Sequence, residues 1–194
     1  IGSYLARMGY KGILGVDFLI EEGGKSVYAN EVNPRLTGAF PMLSLLHLKE
    51  GVIPMEVFHM LEFQGASFEA DARELNARYA HSPHGSHLLV FPLPRTRRLC
   101  RIDLEPGLYE QDPRTGGFFR AKDAMDYSDI VNDLQFVVVE GPPVVEEFLV
   151  PPDPMYRICR LLFGFPVVDA EGRISEFALA AADWVQRRVQ GEPE

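Results

Sequence analysis

The sequence is poor in the features that mark small secreted scaffolds. It has two cysteines, Cys100 and Cys159, in 194 residues. They form no CxxC pair, which excludes a disulfide framework and a thiolate zinc site. Their apolar, strand-like surroundings read as buried free thiols, and a reducing, cytoplasmic setting is the default. No apolar run reaches the roughly 18 to 20 residues that a membrane-spanning helix needs. Positive charge is scarce: 19 Lys and Arg face 28 Asp and Glu, a formal charge of −9. That balance removes the basic surface on which sequence-independent binding to nucleic acid relies. There is no internal repeat. The composition, 46% apolar and 24% charged, is that of an ordinary globular chain with room for one domain or one and a half. An initial methionine is also missing. The opening Ile1-Gly2-Ser3-Tyr4-Leu5-Ala6-Arg7-Met8-Gly9 reads as the back half of an amphipathic helix, stopped by Gly9. The expectation is a chain that starts inside a domain.

After Gly9 the pattern predicts a strand over 12–20, a turn at Glu21-Glu22-Gly23-Gly24-Lys25, and a returning strand over 26–33 that Pro34 ends. Thr37-Gly38 is placed to cap a helix over 39–48, and free N–H groups there would make a ready anion site. Further helices are predicted over 54–63 and 69–79. From His81 the texture turns β-rich, with strands expected at 87–93, 99–104, 134–140 and 156–163 between Pro and Gly turns. Ile174, Phe177, Ala178, Ala181, Trp184, Val185 and Val189 then make the apolar face of a closing helix over 174–189, and 191–194 reads as a frayed tail. The fold class is α+β, with a boundary in 65–83 and domains at 1–80 and 81–194.

The chemistry concentrates in the first hairpin, in Asp17 on one strand and Glu31, Asn33 and Arg35 at the end of the other. Alternation points Glu31 and Asn33 to one side. Asp17 joins them if it pairs with Glu31, which needs a three-residue loop, Gly23-Gly24-Lys25. A two-residue Gly23-Gly24 turn instead puts Asp17 opposite Asn30, facing away, unless a bulge restores the phase. Two converging carboxylates repel by roughly 1 kcal/mol even in water. A hard divalent cation removes that repulsion, and two carboxylates with an amide oxygen are the donor set that Mg²⁺ takes. Arg35 adds a fork for a phosphate oxygen. The plainer alternative is a set of solvated residues on an ordinary hairpin.

Gly15-Val16-Asp17-Phe18, a turn, and Asn30-Glu31-Val32-Asn33-Pro34-Arg35 resemble the metal-binding hairpin of the ATP-grasp superfamily, over 12–41. Its members include D-alanine–D-alanine ligase, carbamoyl phosphate synthetase and biotin carboxylase. The resemblance implies that Asp17, Glu31 and Asn33 ligate Mg²⁺ (or Mn²⁺), with Glu31 and Asn33 thereby holding ATP. It implies that Arg35 steadies a phosphorylated intermediate and that Leu19 is similar in position to a residue packing on adenine. A β-rich stretch after Gly85, then Pro151-Pro152-Asp153-Pro154-Met155-Tyr156-Arg157-Ile158-Cys159-Arg160-Leu161 and a helix, is similar to the C-terminal subdomain of biotin carboxylase-like members. The implied architecture is the C-terminal lobe of an ATP-grasp domain, an antiparallel sheet with helices, followed by that small β-rich subdomain. The implied reaction activates a carboxylate with ATP as an acyl phosphate and joins it to an amine, and the Asn33-Pro34-Arg35-Leu36-Thr37-Gly38 run favours a carboxylate–amine ligase over a biotin-dependent carboxylase.

The family also needs an upstream domain and lysines that hold phosphates. Lys11, Lys25, Lys49 and Lys122 stand in no Gly-rich strand–loop context, so this polypeptide is expected to be inactive by itself. A non-catalytic homologue that binds nucleotide or a partner is the alternative. A third reading, a histidine metal module at His81, His84 and His87, lacks a cysteine or carboxylate nearby. His47 and His59 lie in apolar helices and read as structural. Pro94-Arg95-Thr96-Arg97-Arg98 is a basic knot read as solvated. The expected partners are small molecules, with no nucleic acid and no membrane; a homodimer stays open.

Overall fold

The computed structural model describes residues 1–81, 83–92, 98–101, 104–141, 147–150 and 156–189, with backbone alone for 98–101 and 147–150. The chain divides into two units, Ile1–Pro83 and His84–Glu194. Both mix helices with antiparallel strands, an α+β architecture.

The first unit begins with α1 (Gly2–Arg7), which Gly9 ends with a left-handed φ of +82°. Two strands follow, β1 (Gly15–Ile20) and β2 (Val27–Asn33), paired as an antiparallel hairpin. Three helices complete the unit: α2 (Phe40–Lys49), α3 (Met55–Phe63) and α4 (Ala72–Tyr79). Helix α4 starts later than the predicted 69–79 because Asp71 is its cap, accepting from the N–H groups of Arg73 and Glu74. Thr37 does not cap α2. The N-cap is Ala39, without a side-chain bond, and Thr37 instead turns its methyl toward Gly15, where a Cβ would come within 2.6 Å of it. Few side chains are buried here: among the described residues, Asn33, Met42, Leu46, His47 and Pro54.

The second unit is built on a five-stranded antiparallel sheet in the order β3-β9-β7-β5-β6. Its strands are β3 (Ser86–Val90), β5 (Gly107–Gln111), β6 (Phe118–Lys122), β7 (Gln135–Val139) and β9 (Cys159–Phe163). A separate two-stranded ladder joins β4 (Arg98–Arg101) to β8 (Glu147–Val150). Helix α5 (Glu176–Arg188) is capped by Ser175, whose Oγ accepts from the N–H of Ala178 at 3.2 Å. Ala178, Ala181 and Val185 of α5 are fully buried in one core with Phe136, Val138, Leu161 and Phe163. Trp184 joins it, its ring centroid 5.3 Å from Tyr109 and 5.6 Å from Phe118.

Strands β7 and β9 are buried on both faces, as expected of central strands covered twice. The second face is reached by the 3₁₀ turn Tyr127–Asp129: Tyr127 is fully buried and donates its O–H to the Ser86 carbonyl. Strand β9 begins at Cys159 and not at 156, because its ladder with β3 ends at the Val90–Cys159 pair and its ladder with β7 at Val139–Arg160. Strands β5, β6 and β8 were not foreseen. The basic knot at 94–97, the Pro-rich turn at 151–155 and the tail at 191–194 lie outside the described residues, as does the side chain of Cys100. No helix among the described residues is long and apolar enough to cross a membrane.

Candidate metal and phosphate site on the first hairpin

The hairpin runs in two registers. At its base Gly15 pairs with Asn33, Val16 with Val32 and Asp17 with Glu31; toward the tip Phe18 pairs with Ala29, Leu19 with Tyr28 and Ile20 with Val27. Asn30 is the residue left over, a bulge on β2. Of the two arrangements open to the sequence, the bulged one forms, and the three-residue loop does not. Glu21 N–H closes on the Ser26 carbonyl at 3.0 Å, so four residues, Glu22 to Lys25, make the tip, with Gly23 and Gly24 at φ +86° and +70°. Without the bulge every residue from Glu31 onward would face the other way. With it, Asp17 and Glu31 stand opposite one another on one face.

Two further side chains join them. Asn33, 9% exposed, donates its Nδ2–H to Asp17 Oδ2 at 3.1 Å, and its Oδ1 accepts from Arg35 Nη2 at 3.3 Å. Arg35 reaches back because the chain folds tightly at Pro34: its backbone N–H donates to the Asn33 carbonyl at 2.8 Å, a three-residue turn that proline's fixed φ favours. The other Arg35 nitrogen, Nη1, donates to the Leu36 carbonyl at 3.3 Å. Arg35, Asn33 and Asp17 thus form one polar relay, with Glu31 across the ladder from its last member.

This donor set suits a hard cation. Among the described residues no three His, Cys, Asp or Glu converge, so the hairpin supplies two carboxylates and a third oxygen has to come from the Asn33 amide. That oxygen now faces Arg35, and half a turn of the amide presents it on the Asp17 side. Two carboxylates with one amide leave positions for water and phosphate oxygens, as Mg²⁺ and Mn²⁺ require.

Leu19 lies two residues from Asp17 and on its side, 59% exposed, and it pairs directly with Tyr28, 60% exposed. Sequence reasoning missed Tyr28. Counting outward from a Gly23-Gly24 turn would have found it. The opposite face is apolar and open: Phe18, Ile20, Val27 and Val32 are all exposed.

A cleft of about 610 Å³ lies elsewhere in this unit, lined by Ile13, Met55, Phe58, His59, Phe68 and Tyr79 among others. Four of its polar side chains are engaged: His59 Nδ1 accepts from Ile13 N–H at 3.2 Å, Tyr79 donates to the Ile53 carbonyl at 2.6 Å, and Lys11 pairs with Glu62 at 2.6 Å. The cleft's charged pair is closed on itself, whereas the hairpin carries two opposed carboxylates.

Comparison of the chain with protein-family models, with curated proteins and with solved structures finds no match in any of the three.

Proposed function

We propose that the chain carries the metal- and phosphate-binding hairpin of a cytoplasmic ATP-grasp ligase, as its C-terminal part. The observation that supports this reading is the opposed pair Asp17–Glu31 with Asn33 and Arg35 on the same relay. Asp17, Glu31 and the Asn33 oxygen would hold Mg²⁺ or Mn²⁺, which would supply charge neutralisation at the phosphates of ATP. Leu19 and Tyr28 offer an apolar platform to the nucleobase. A substrate carboxylate oxygen attacks the γ-phosphorus and ADP leaves; an amine then attacks the acyl carbon, inorganic phosphate leaves and the amine gives up a proton. Arg35 donates to the oxygens over which negative charge spreads, and no side chain has to act as nucleophile. The exposed apolar face of the hairpin is what an upstream nucleotide-binding half would cover.

The test is phosphate release by the complete reading frame with Mg·ATP and pools of carboxylates and amines, beside Glu31→Gln. Substrate-dependent ADP and phosphate, lost in the variant, support the ligase. Nucleotide binding without turnover replaces it with a nucleotide- or partner-binding module. AMP and pyrophosphate as products overturn the acyl-phosphate chemistry.

A further inference from the structure

Strand alternation in the second unit turns Val90, Phe136, Val138, Leu161 and Phe163 toward α5, so Arg160 points to the other face of the sheet. Arg160 is in the middle of three strands, in register with Leu89 of β3 and Val139 of β7, and only 2% exposed. A guanidinium carries five N–H donors and a permanent charge, and burying it short of acceptors is costly. One acceptor is present: Nε donates to Glu140 Oε2 at 3.0 Å. Arg157 is 3.9 Å from the same oxygen. One carboxylate therefore serves two guanidinium groups, and Nη1 of Arg160 has no hydrogen-bond partner among the described residues.

Two neighbours point the same way. Glu140 is the one described non-glycine residue with positive φ, at +56°, a backbone conformation that costs roughly 1 kcal/mol or more away from glycine. The strain is held where the Glu140 carboxylate meets Arg160. His87 pairs with Leu162, on the Arg160 side of the sheet. Burial foremost, and then the charges of Arg160 and Arg157 against that of Glu140, hold its imidazole below the usual range. Among the described side chains that act on His87, two positive charges face one negative.

We infer that this face of the sheet binds a compact oxyanion, a carboxylate or a phosphate, with Arg160 and Arg157 as its ligands. The charge count among the described residues leaves a place for one anion beside Glu140, and the planar fork of arginine matches the paired oxygens of both groups. The Arg157 and Glu140 side chains are 43% and 39% exposed, so the anion enters from their side, and only a small one reaches Nη1. This inference is independent of the ligase reading, since it concerns other residues and needs neither ATP nor metal.

The experiment titrates the full chain with sodium phosphate and, separately, sodium acetate, against sodium chloride at equal ionic strength, following Tm and heat of binding. A saturable rise in Tm beyond the chloride response is expected. Arg160→Met should abolish it, and Arg157→Gln should weaken the affinity at least tenfold. A response to phosphate alone identifies a phosphate site, and a response to both anions a carboxylate-type site. The inference is overturned if wild type responds to neither anion beyond chloride, or if Arg160→Met binds as wild type does. Should Arg160→Met fail to fold, Arg157→Gln decides: unchanged affinity in that variant is equally fatal.

Discussion

Asn33→Asp changes one donor into one charge at the centre of the hairpin, and its effect can be worked from the geometry. The variant loses the N–H that Asn33 gives Asp17 at 3.1 Å, a bond to a charged acceptor worth about 1.5–3 kcal/mol. It also places a new negative charge beside Asp17, which is exposed, so the Coulomb cost at that distance is about 1.3 kcal/mol in high dielectric. Against this, Arg35, 3.3 Å from Oδ1, gains an ionised partner for about the same 1.3 kcal/mol. The two charge effects cancel and the lost bond remains, so the metal-free hairpin should weaken by about 2 kcal/mol. Amide hydrogen exchange over 15–33 reads that directly, as opening about 30-fold more frequent. With Mn²⁺ the sign reverses, because a third carboxylate replaces a neutral ligand. Mn²⁺ should bind the variant at least tenfold more tightly and restore its protection. Exchange unchanged in metal-free buffer would refute the relay, and Mn²⁺ protecting the variant less than wild type would refute the cation site.

Gly15→Ala drives a Cβ to 2.6 Å from the Thr37 methyl and should cost about 1–3 kcal/mol in hairpin stability; Thr37→Ser, which removes that methyl, should rescue it in the same exchange measurement. Phe136 is fully buried and its ring lies 5.3 Å from Phe118 and 5.5 Å from Tyr109. Phe136→Ala should therefore cost about 3–5 kcal/mol and lower the urea midpoint by roughly 2 M. Trp184, the sole tryptophan, reports it by fluorescence, and a loss below about 1.5 kcal/mol would contradict the packing. Burial pushes the Tyr127 hydroxyl and the Cys159 thiol up to about 12. Both are neutral when protonated, so the stability they contribute is complete below their unfolded pKa values and is lost as pH rises through about 12. The second unit should hold its urea midpoint through neutral pH and lose it on the alkaline limb. Cys159, 1% exposed, should resist a thiol reagent at pH 8 until urea unfolds the chain.

Much of the fold was legible because its elements carry their own periodicity. Helices α3 and α5 follow apolar spacing, α2 is apolar nearly throughout, and β3, β7 and β9 stand out as apolar runs. Strand β6 failed that test because only Phe118 of its five residues is buried. The turn before it was a usable signal: Asp112 accepts from Arg114 N–H and Thr115 Oγ–H, and Gly116 takes φ +70°, as an Asp-Pro start and a glycine end suggest. In the hairpin, the residue types were readable and their phase was not, since alternation alone cannot say whether Asn30 is counted in the ladder or left out of it. Arg160 was hidden for a different reason. An arginine within Tyr156-Arg157-Ile158-Cys159-Arg160-Leu161-Leu162-Phe163 reads as an outward residue on a half-buried strand. It is buried because β9 lies inside a sheet covered on both faces, one of them reached by Tyr127. That covering comes from a segment some thirty residues earlier, beyond the reach of any local pattern.

The Asn30 bulge also sets direction. A bulge sharpens the right-handed twist of the strands that carry it, and this one stands between the Asp17–Glu31 pair and the Leu19–Tyr28 pair. The two pairs share a face but are rotated relative to one another by that twist, the ionic pair at the base and the apolar pair toward the tip. A straight ladder would lay charge and grease along one flat line, suited to an extended guest. On the proposed reading, the twisted form would favour a bent guest, with an anionic tail and an aromatic head held at an angle to each other.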